Sequence, residues 1–310
     1  MAKTATAAAT IPAADVPITE ERQFRSDNAF LCLLLNRRMK QIRVIDFRAG
    51  ALPAKRLFIQ SVAQLEGVEK VLMLVEKDEV SSWTRVGFVR EGTVPGFYKR
   101  SDGHLVGCVI GDKTASVEAG EAAQRLAERT IVAAKKVTAE YETTPKSIGV
   151  KIVMAHIALA ARDSLWKKVE GTYGSFDPFG REAARVYFEI TSKKVKPNFV
   201  SAEFQDCFGH ALIEILRRPK GPAEIEVAIA GLRGLEDELK RRELVSAFAF
   251  APVDDVDLAT VFLCGGYRKT GLLARGVLVE GKRSDAILWT RKLADPAGGE
   301  DGEAGDEFDA

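Results

Sequence analysis

The sequence predicts an α/β fold with mixed sheets and flanking helices, arranged as two echoing halves. Three stretches carry this. In Ala211–Ala223 an apolar, β-branched run (Leu212, Ile213, Ile215, Leu216) ends in Arg218-Pro219-Lys220-Gly221-Pro222-Ala223, and a helix-like segment to Leu244 follows at once. A strand, a glycine elbow and a helix N-terminus make a ready anion site, because the first helical N–H groups have no partner within the helix. Gly221 allows close backbone approach, and Pro222 suits the first helical turn. Second, Asp78…Gly87-Phe88…Gly92…Lys99-Arg100-Ser101-Asp102 is echoed by Asp257…Gly266-Tyr267…Gly271…Lys282-Arg283-Ser284-Asp285, with identical Asp-to-Gly and Gly-to-Gly spacings. Third, a stretch rich in Ala, Glu and Lys over 114–142 reads as a long, partly exposed helix joining the halves.

In chain order, residues 1–24 read as a flexible Ala/Thr/Pro-rich leader. The first unit, 25–112, has apolar strands at 28–36 and 41–47 and a turn at 48–53. A helix spaced on Leu57, Phe58, Val62 and Leu65 follows, then a strand at 68–75. A short helix at 78–86, with Asp78 as its cap, precedes strands at 88–98 and 104–110. The connector, 113–146, ends at Thr143-Thr144-Pro145-Lys146. The second unit, 147–293, runs through a strand at 148–154, a helix at 157–169, and an irregular stretch, TYGSFDPFGREA. Strands at 186–190, 199–204 and 211–216 lead to the long helix. A strand at 244–250, a short helix at 254–264 and two closing strands ending at Trp289 complete it. The Gly-rich acidic tail, 294–310, reads as disordered.

Composition removes several function classes. The 310 residues carry Lys+Arg 45 against Asp+Glu 44, so no charge excess points to nucleic acid or an anionic membrane. No apolar run approaches the roughly 18 residues a membrane helix needs. Cys32, Cys108, Cys207 and Cys264 stand far apart, as do His104, His156 and His210, without the short spacing of a metal site. Buried thiols, a strand-end or surface place for His210, and a reduced, cytoplasmic protein are the expectations.

The spacing Arg218-x-x-Gly221-x-Ala223 resembles the pyrophosphate-binding loop of the GNAT superfamily of acetyl-CoA-dependent N-acetyltransferases. GFVREGTVPGFYKRSD resembles the Gly-Phe…Glu…Ile-Pro-Gly-Phe-Phe segment of the beta-lysine N-acetyltransferase family. VFLCGGYRKTGLL and SDAILWTRKL resemble that family's Phe-x-x-x-Gly-Tyr…Gly-x-Leu and closing Met-Asn-x-Trp-Tyr-Lys. The likeness spans about residues 29 to 293. It implies an incomplete GNAT-like half, then a complete GNAT domain with mostly antiparallel sheets, and acetyl-CoA as co-substrate. It also implies a small-molecule amine acceptor, beta-lysine or another amino acid-like compound. Arg218, Lys220, Gly221 and Ala223 would hold the pyrophosphate. The departures fall on the acceptor side: Glu214 stands where the family has Asp, Ala274-Arg275 replaces Asn-Asn, Arg283-Ser284-Asp285-Ala286 replaces Glu-Ser-Met-Asn, and the Tyr173 to Phe179 segment replaces Tyr-Pro-Phe-Pro. Tyr173, Arg275 and Asp285 are therefore the substrate-side candidates.

Acetyl transfer needs a base for the amine, and Glu214, on the strand leading to the elbow, is the candidate; Glu203 and Asp206 rank behind it. The bland alternative for Glu214 is a salt-bridged strand residue. The slot in the last short helix where many GNAT enzymes carry a Tyr acid holds Phe262, and Tyr267 reads as core. Arg48-Ala49-Gly50 is a poor copy of the loop, so the first half completes the sheet and walls the acceptor cleft; Trp83, Phe88, Phe97 and Tyr98 form its core or the junction. The rival reading is a catalytically degenerate scaffold that binds a protein partner or a second copy through its helix and tails. Its support is the elbow's two prolines, which lack N–H donors, and the changed acceptor side.

Overall fold

The computed structural model describes residues 17–27, 29–46, 50, 52–111, 117–143, 145, 147–168, 172–174, 179–181, 183–205 and 208–294. The leader to residue 16, the tail from 295, Asp206 and Cys207 lie outside the described residues.

The first unit comprises β1 (Thr19–Ser26), β2 (Ala29–Asn36), β3 (Gln41–Asp46), α1 (Leu52–Leu65), β4 (Lys70–Val75), α2 (Val80–Arg85), β5 (Val89–Val94) and β6 (Gly103–Val109). The connector is α3 (Glu121–Val137), ending in a 3-10 turn at Thr138–Tyr141. The second unit comprises β7 (Gly149–Val153), α4 (Ala155–Trp166), β8 (Tyr173–Gly174), β9 (Ala184–Thr191), β10 (Asn198–Phe204), β11 (His210–Ile215), α5 (Pro222–Arg241), β12 (Ser246–Pro252), α6 (Val256–Cys264), β13 (Arg268–Val279) and β14 (Lys282–Lys292).

All the strands join one mixed, mostly antiparallel sheet, ordered β1-β2-β3-β4-β6-β5-β13-β14-β12-β11-β10-β9-β7, with β8 alongside β13. Both units run through the same connections: a parallel crossover through a long helix (β3-α1-β4, β11-α5-β12), a short helix, then a hairpin. The second unit adds β7 and α4. The units meet where Gly92 of β5 pairs with Gly271 of β13. A Cβ on Gly271 would lie 2.4 Å from the Glu91 carbonyl oxygen and 2.6 Å from Gly92 Cα, so this approach requires glycine.

Strand alternation sorts the core into layers. Val71, Met73 and Val75 of β4 pack with α1, whereas Ala247, Ala249 and Ala251 of β12 pack with α5 and α6. The opposite faces, through Leu72, Leu74, Leu212, Phe248 and Phe250, form a third cluster shared by both units. The curled sheet thus turns the faces opposite α1 and α5 toward each other, and the cleft between them holds the candidate site.

Several sequence expectations need correction. β1 begins within the stretch read as leader; its charged, mostly exposed residues show no apolar alternation, as befits an edge strand. Asp78 does not cap α2: Glu79 holds the N-cap position without a side-chain hydrogen bond. His210 stands at the end of a strand, as the first residue of β11, but not at the surface. It is buried and stacked on Phe97 of the first unit, ring centroids 3.7 Å apart at 10°. Trp83, Phe88, Phe97, Phe262 and Tyr267 are buried, as are Cys32 and Cys108, while Cys264 is half-buried. No helix among the described residues is long and apolar enough to cross a membrane.

Candidate functional site

β11 and β12 run parallel and pair at His210–Ser246, Ala211–Ala247 and Leu212–Phe248. The pairing ends there, and the strands part as they reach the elbow before α5. Such an opening at the carboxyl ends of parallel strands is where α/β proteins seat ligands. Gly221 holds the N-cap position of α5 at φ 79°, and a Cβ there would meet open space. The elbow is therefore accessible from solvent.

Its donors are already engaged. Lys220 N donates to Glu224 Oε2 at 2.9 Å, and Gly221 N donates to Asp257 Oδ2 at 3.0 Å. Pro219 and Pro222 have no N–H to offer. Arg218 Nε donates to Asp255 Oδ2 at 2.6 Å, and Asp255 Oδ1 caps α6 by accepting from Leu258 N at 2.9 Å. Arg217 pairs with Glu224 at 3.3 Å. Each arginine of the elbow faces a carboxylate, and Ala223, at the second helical position, has no partner for its N–H within the helix. Tyr173, buried, reaches into this region: its phenol is in hydrogen-bonding contact with the Ile215 backbone, near the charges of Glu214, Asp255 and Arg218. Burial pushes its phenol pKa well up, so it stays protonated.

Within the cleft, Arg185 and Tyr187 of β9, Ser201 and Glu203 of β10, and Glu214 of β11 share the face opposite α5; Val186, Phe188, Ala202, Ile213 and Ile215 face α5. Arg185 forks across the strands. Its Nη1 donates to Glu214 Oε2 at 2.8 Å and its Nη2 to Glu203 Oε2. Glu203 Oε1 accepts from Phe179 N at 2.8 Å and Gly180 N at 2.6 Å. Three side chains make one fixed network.

Three cavities follow one another along this face. The largest, about 410 Å³, lies between β1–β2 and β9–β10, with Glu203 and Arg185 among its lining residues. Arg185 and Tyr187 also line the next, which contains Glu214 and is bounded by Ala158, Leu159 and Arg162 of α4. Arg162, Glu214 and Leu216 then line a third, which reaches Tyr173, Ile215 and Phe250 beside the opening. α4 is joined to the first unit by Arg38, which pairs with Asp163 at 3.1 Å and lies 6.0 Å over the Trp166 ring.

No protein-family model and no curated protein matches the chain. Solved structures of acetyltransferases do. The chain is similar to a spermidine N-acetyltransferase from Vibrio cholerae in complex with CoA and spermine, at 11% identity and TM-score 0.36, covering 49% of this chain and 98% of the other. A dodecameric form of spermidine N-acetyltransferase from Vibrio cholerae matches at 13% identity and TM-score 0.37, covering 48% and 95%. A probable acetyltransferase from Staphylococcus epidermidis matches at 8% identity and TM-score 0.37, covering 47% and 99%.

Of the residues singled out in the sequence, the fold brings Glu214 and Tyr173 to one cavity. Arg218, Lys220, Gly221 and Ala223 form the elbow as one piece. Arg275 and Asp285 do not join them. They sit on the β13–β14 hairpin, where Arg275 N donates to Asp285 Oδ1 at 2.8 Å. Sequence reasoning missed Arg185, Arg162, Glu224 and the bond from Gly221 to Asp257. Arg185 had a signal: β9 reads ARVYFEIT, with Arg185, Tyr187 and Glu189 alternating against apolar residues. Asp257 appears in the sequence as an anchor of the repeat, but its contact with the elbow depends on α6 packing beside α5. Among the described residues, no group of three or more His, Cys, Asp or Glu side chains is placed to hold a metal.

Proposed function

We propose that the chain is an acetyl-CoA-dependent N-acetyltransferase acting on a small, amino acid-like amine, with its site in the second unit. The observation that carries this reading is the parting of β11 and β12 at an open glycine elbow, with Glu214 on the cleft side of the same strand. In this reading the thioester lies in the opening and the acceptor in the cleft. Glu214, fixed by Arg185, takes the amine's proton directly or through a water. The amine nitrogen bonds to the thioester carbonyl carbon, and the tetrahedral adduct collapses, breaking the carbon–sulfur bond and releasing the CoA thiolate, which takes a proton from water. Arg218, Lys220, Gly221 and Ala223 hold the pyrophosphate once Asp257 and Glu224 give up the elbow's N–H groups. The buried, protonated phenol of Tyr173 borders the acetyl position. Arg275 and Asp285, tied to one another, serve the far side of the acceptor at most.

One observation favours a second reading, a catalytically degenerate scaffold: the chain's own carboxylates take the N–H groups of Lys220 and Gly221, while Tyr173 reaches into the opening. Calorimetric titration with acetyl-CoA separates the two. The transfer reading expects micromolar binding to the wild type. It expects about tenfold tighter binding, roughly 1.4 kcal/mol, by Asp257→Asn, which removes a negative charge beside the phosphates. If neither protein binds at millimolar acetyl-CoA, the scaffold reading stands and a protein partner or second copy becomes the ligand to seek.

A further inference from the structure

We propose that the cleft between the two units is a binding site for the zwitterionic head of an amino acid, with Glu21 of β1 taking the ammonium and Arg181 the carboxylate. These two groups stand on opposite walls of the 410 Å³ cavity, with Arg181 Nε 3.1 Å from Glu21 Oε2. The volume falls in the range of small-molecule sites, about 300–1,000 Å³. Both side chains remain reachable, at 37% and 39% exposure, and an exposed ion pair of this kind contributes little to stability. A zwitterion can therefore separate them and satisfy each one.

The rest of the wall selects for that chemistry. Glu21 and Glu203 oppose a simple anion, while Arg181 and Arg185 oppose a ligand carrying only positive charge. Arg185 and Glu203 are nearly buried and bonded to one another, so they form a fixed floor. Leu34 and Tyr187 offer apolar surface for an aliphatic chain. Arg185 and Tyr187 are shared with the cavity that holds Glu214, but that cavity, at about 30 Å³, has room for little more than a water, so the ligand is held in the larger cavity. An amino acid with an aliphatic side-chain stem, such as lysine, fits this cavity. The first unit would then supply half of a recognition site as well as a wall. The role of this site in positioning an acceptor rests on the acetyl-transfer reading; binding itself does not.

The test is ligand-observed NMR on the full chain without CoA, using lysine and cadaverine, which has the same aliphatic chain without the carboxylate. The wild type should bind lysine saturably. Arg181→Ala should weaken lysine at least tenfold and leave cadaverine unweakened, and Glu21→Gln should weaken both. Unchanged lysine affinity in Arg181→Ala, or no saturable lysine binding by the wild type, overturns the proposal. Lysine binding that depends on Arg181 in a protein that ignores acetyl-CoA removes the transfer reading and keeps the site; the opposite pattern removes the site and keeps the reading.

Discussion

His210 begins β11 with its ring buried between the units, stacked on Phe97 and near Phe179, Phe208 and Phe248. Burial pushes its pKa from 6.5 down to about 3, with Arg43 pushing the same way and the Phe97 carbonyl opposing. Above pH 6.5 the imidazole is neutral in folded and unfolded chains alike, and nothing is lost. Below it the unfolded chain takes up a proton that the folded chain refuses, so stability falls as pH drops from 6.5 toward 3. The slope is about 1.4 kcal/mol per pH unit, or about 2 kcal/mol between pH 7 and pH 5. Urea denaturation of the wild type and His210→Gln at both pH values checks this: the wild type should lose more stability on acidification by roughly that amount. Equal losses would show that His210 is not the group responsible. The sequence could not show this, because a histidine entering an apolar strand reads the same whether its partner surface is solvent or another unit.

At the scale of elements, each repeated motif carries a second glycine, Gly92 or Gly271, and these two glycines face each other. Both lie at irregularities in their hairpins, with register shifts between Arg90 and Gly92 and between Lys269 and Gly271. The extra residues are Glu91 and Thr270, in the same place in the two motifs. Gly271→Ala would push a methyl group into the Glu91 carbonyl and Gly92 Cα, and neither can move without shifting a strand. A loss of about 1–3 kcal/mol is expected, seen as a lower midpoint in thermal melting. A wild-type melting curve would show that the sheet is looser at this point than the distances imply. The spacing of these glycines was legible in the sequence; that they pair with each other was not, since spacing carries no information about which edges meet.

For the whole molecule, the junction is held by a buried ion pair. Lys70 Nζ lies 2.5 Å from Glu91 Oε1 and donates to the Ala274 carbonyl at 2.8 Å, while Ala274 N donates to Glu91 Oε1 at 3.1 Å. Both side chains are almost fully buried, which pushes the lysine's pKa down and the carboxyl's up, each opposed by the other's charge. Lys70→Met would leave Glu91 buried without its cation, at a cost of about 3–5 kcal/mol. Because the pair ties β4 and β5 to β13, both units should be destabilised together, giving one cooperative calorimetric transition at lower temperature. Two separated transitions, with the second unit melting as in the wild type, would show that the junction does not couple the units.

The sequence by itself determined the α/β class, most strands and helices, and the glycine elbow ahead of a long helix. These are local matters: side-chain periodicity, β-branched runs, and glycine and proline at turns act over a few residues. It also placed Glu214 opposite Ile213 and Ile215, because alternation along a strand needs no tertiary information. Only the tertiary structure decided that the faces opposite α1 and α5 close on each other, that Arg185 bridges Glu203 and Glu214, and that Asp257 reaches the elbow. Each of these joins groups from separate strands or helices, and their registers and crossings are set by packing across the whole sheet.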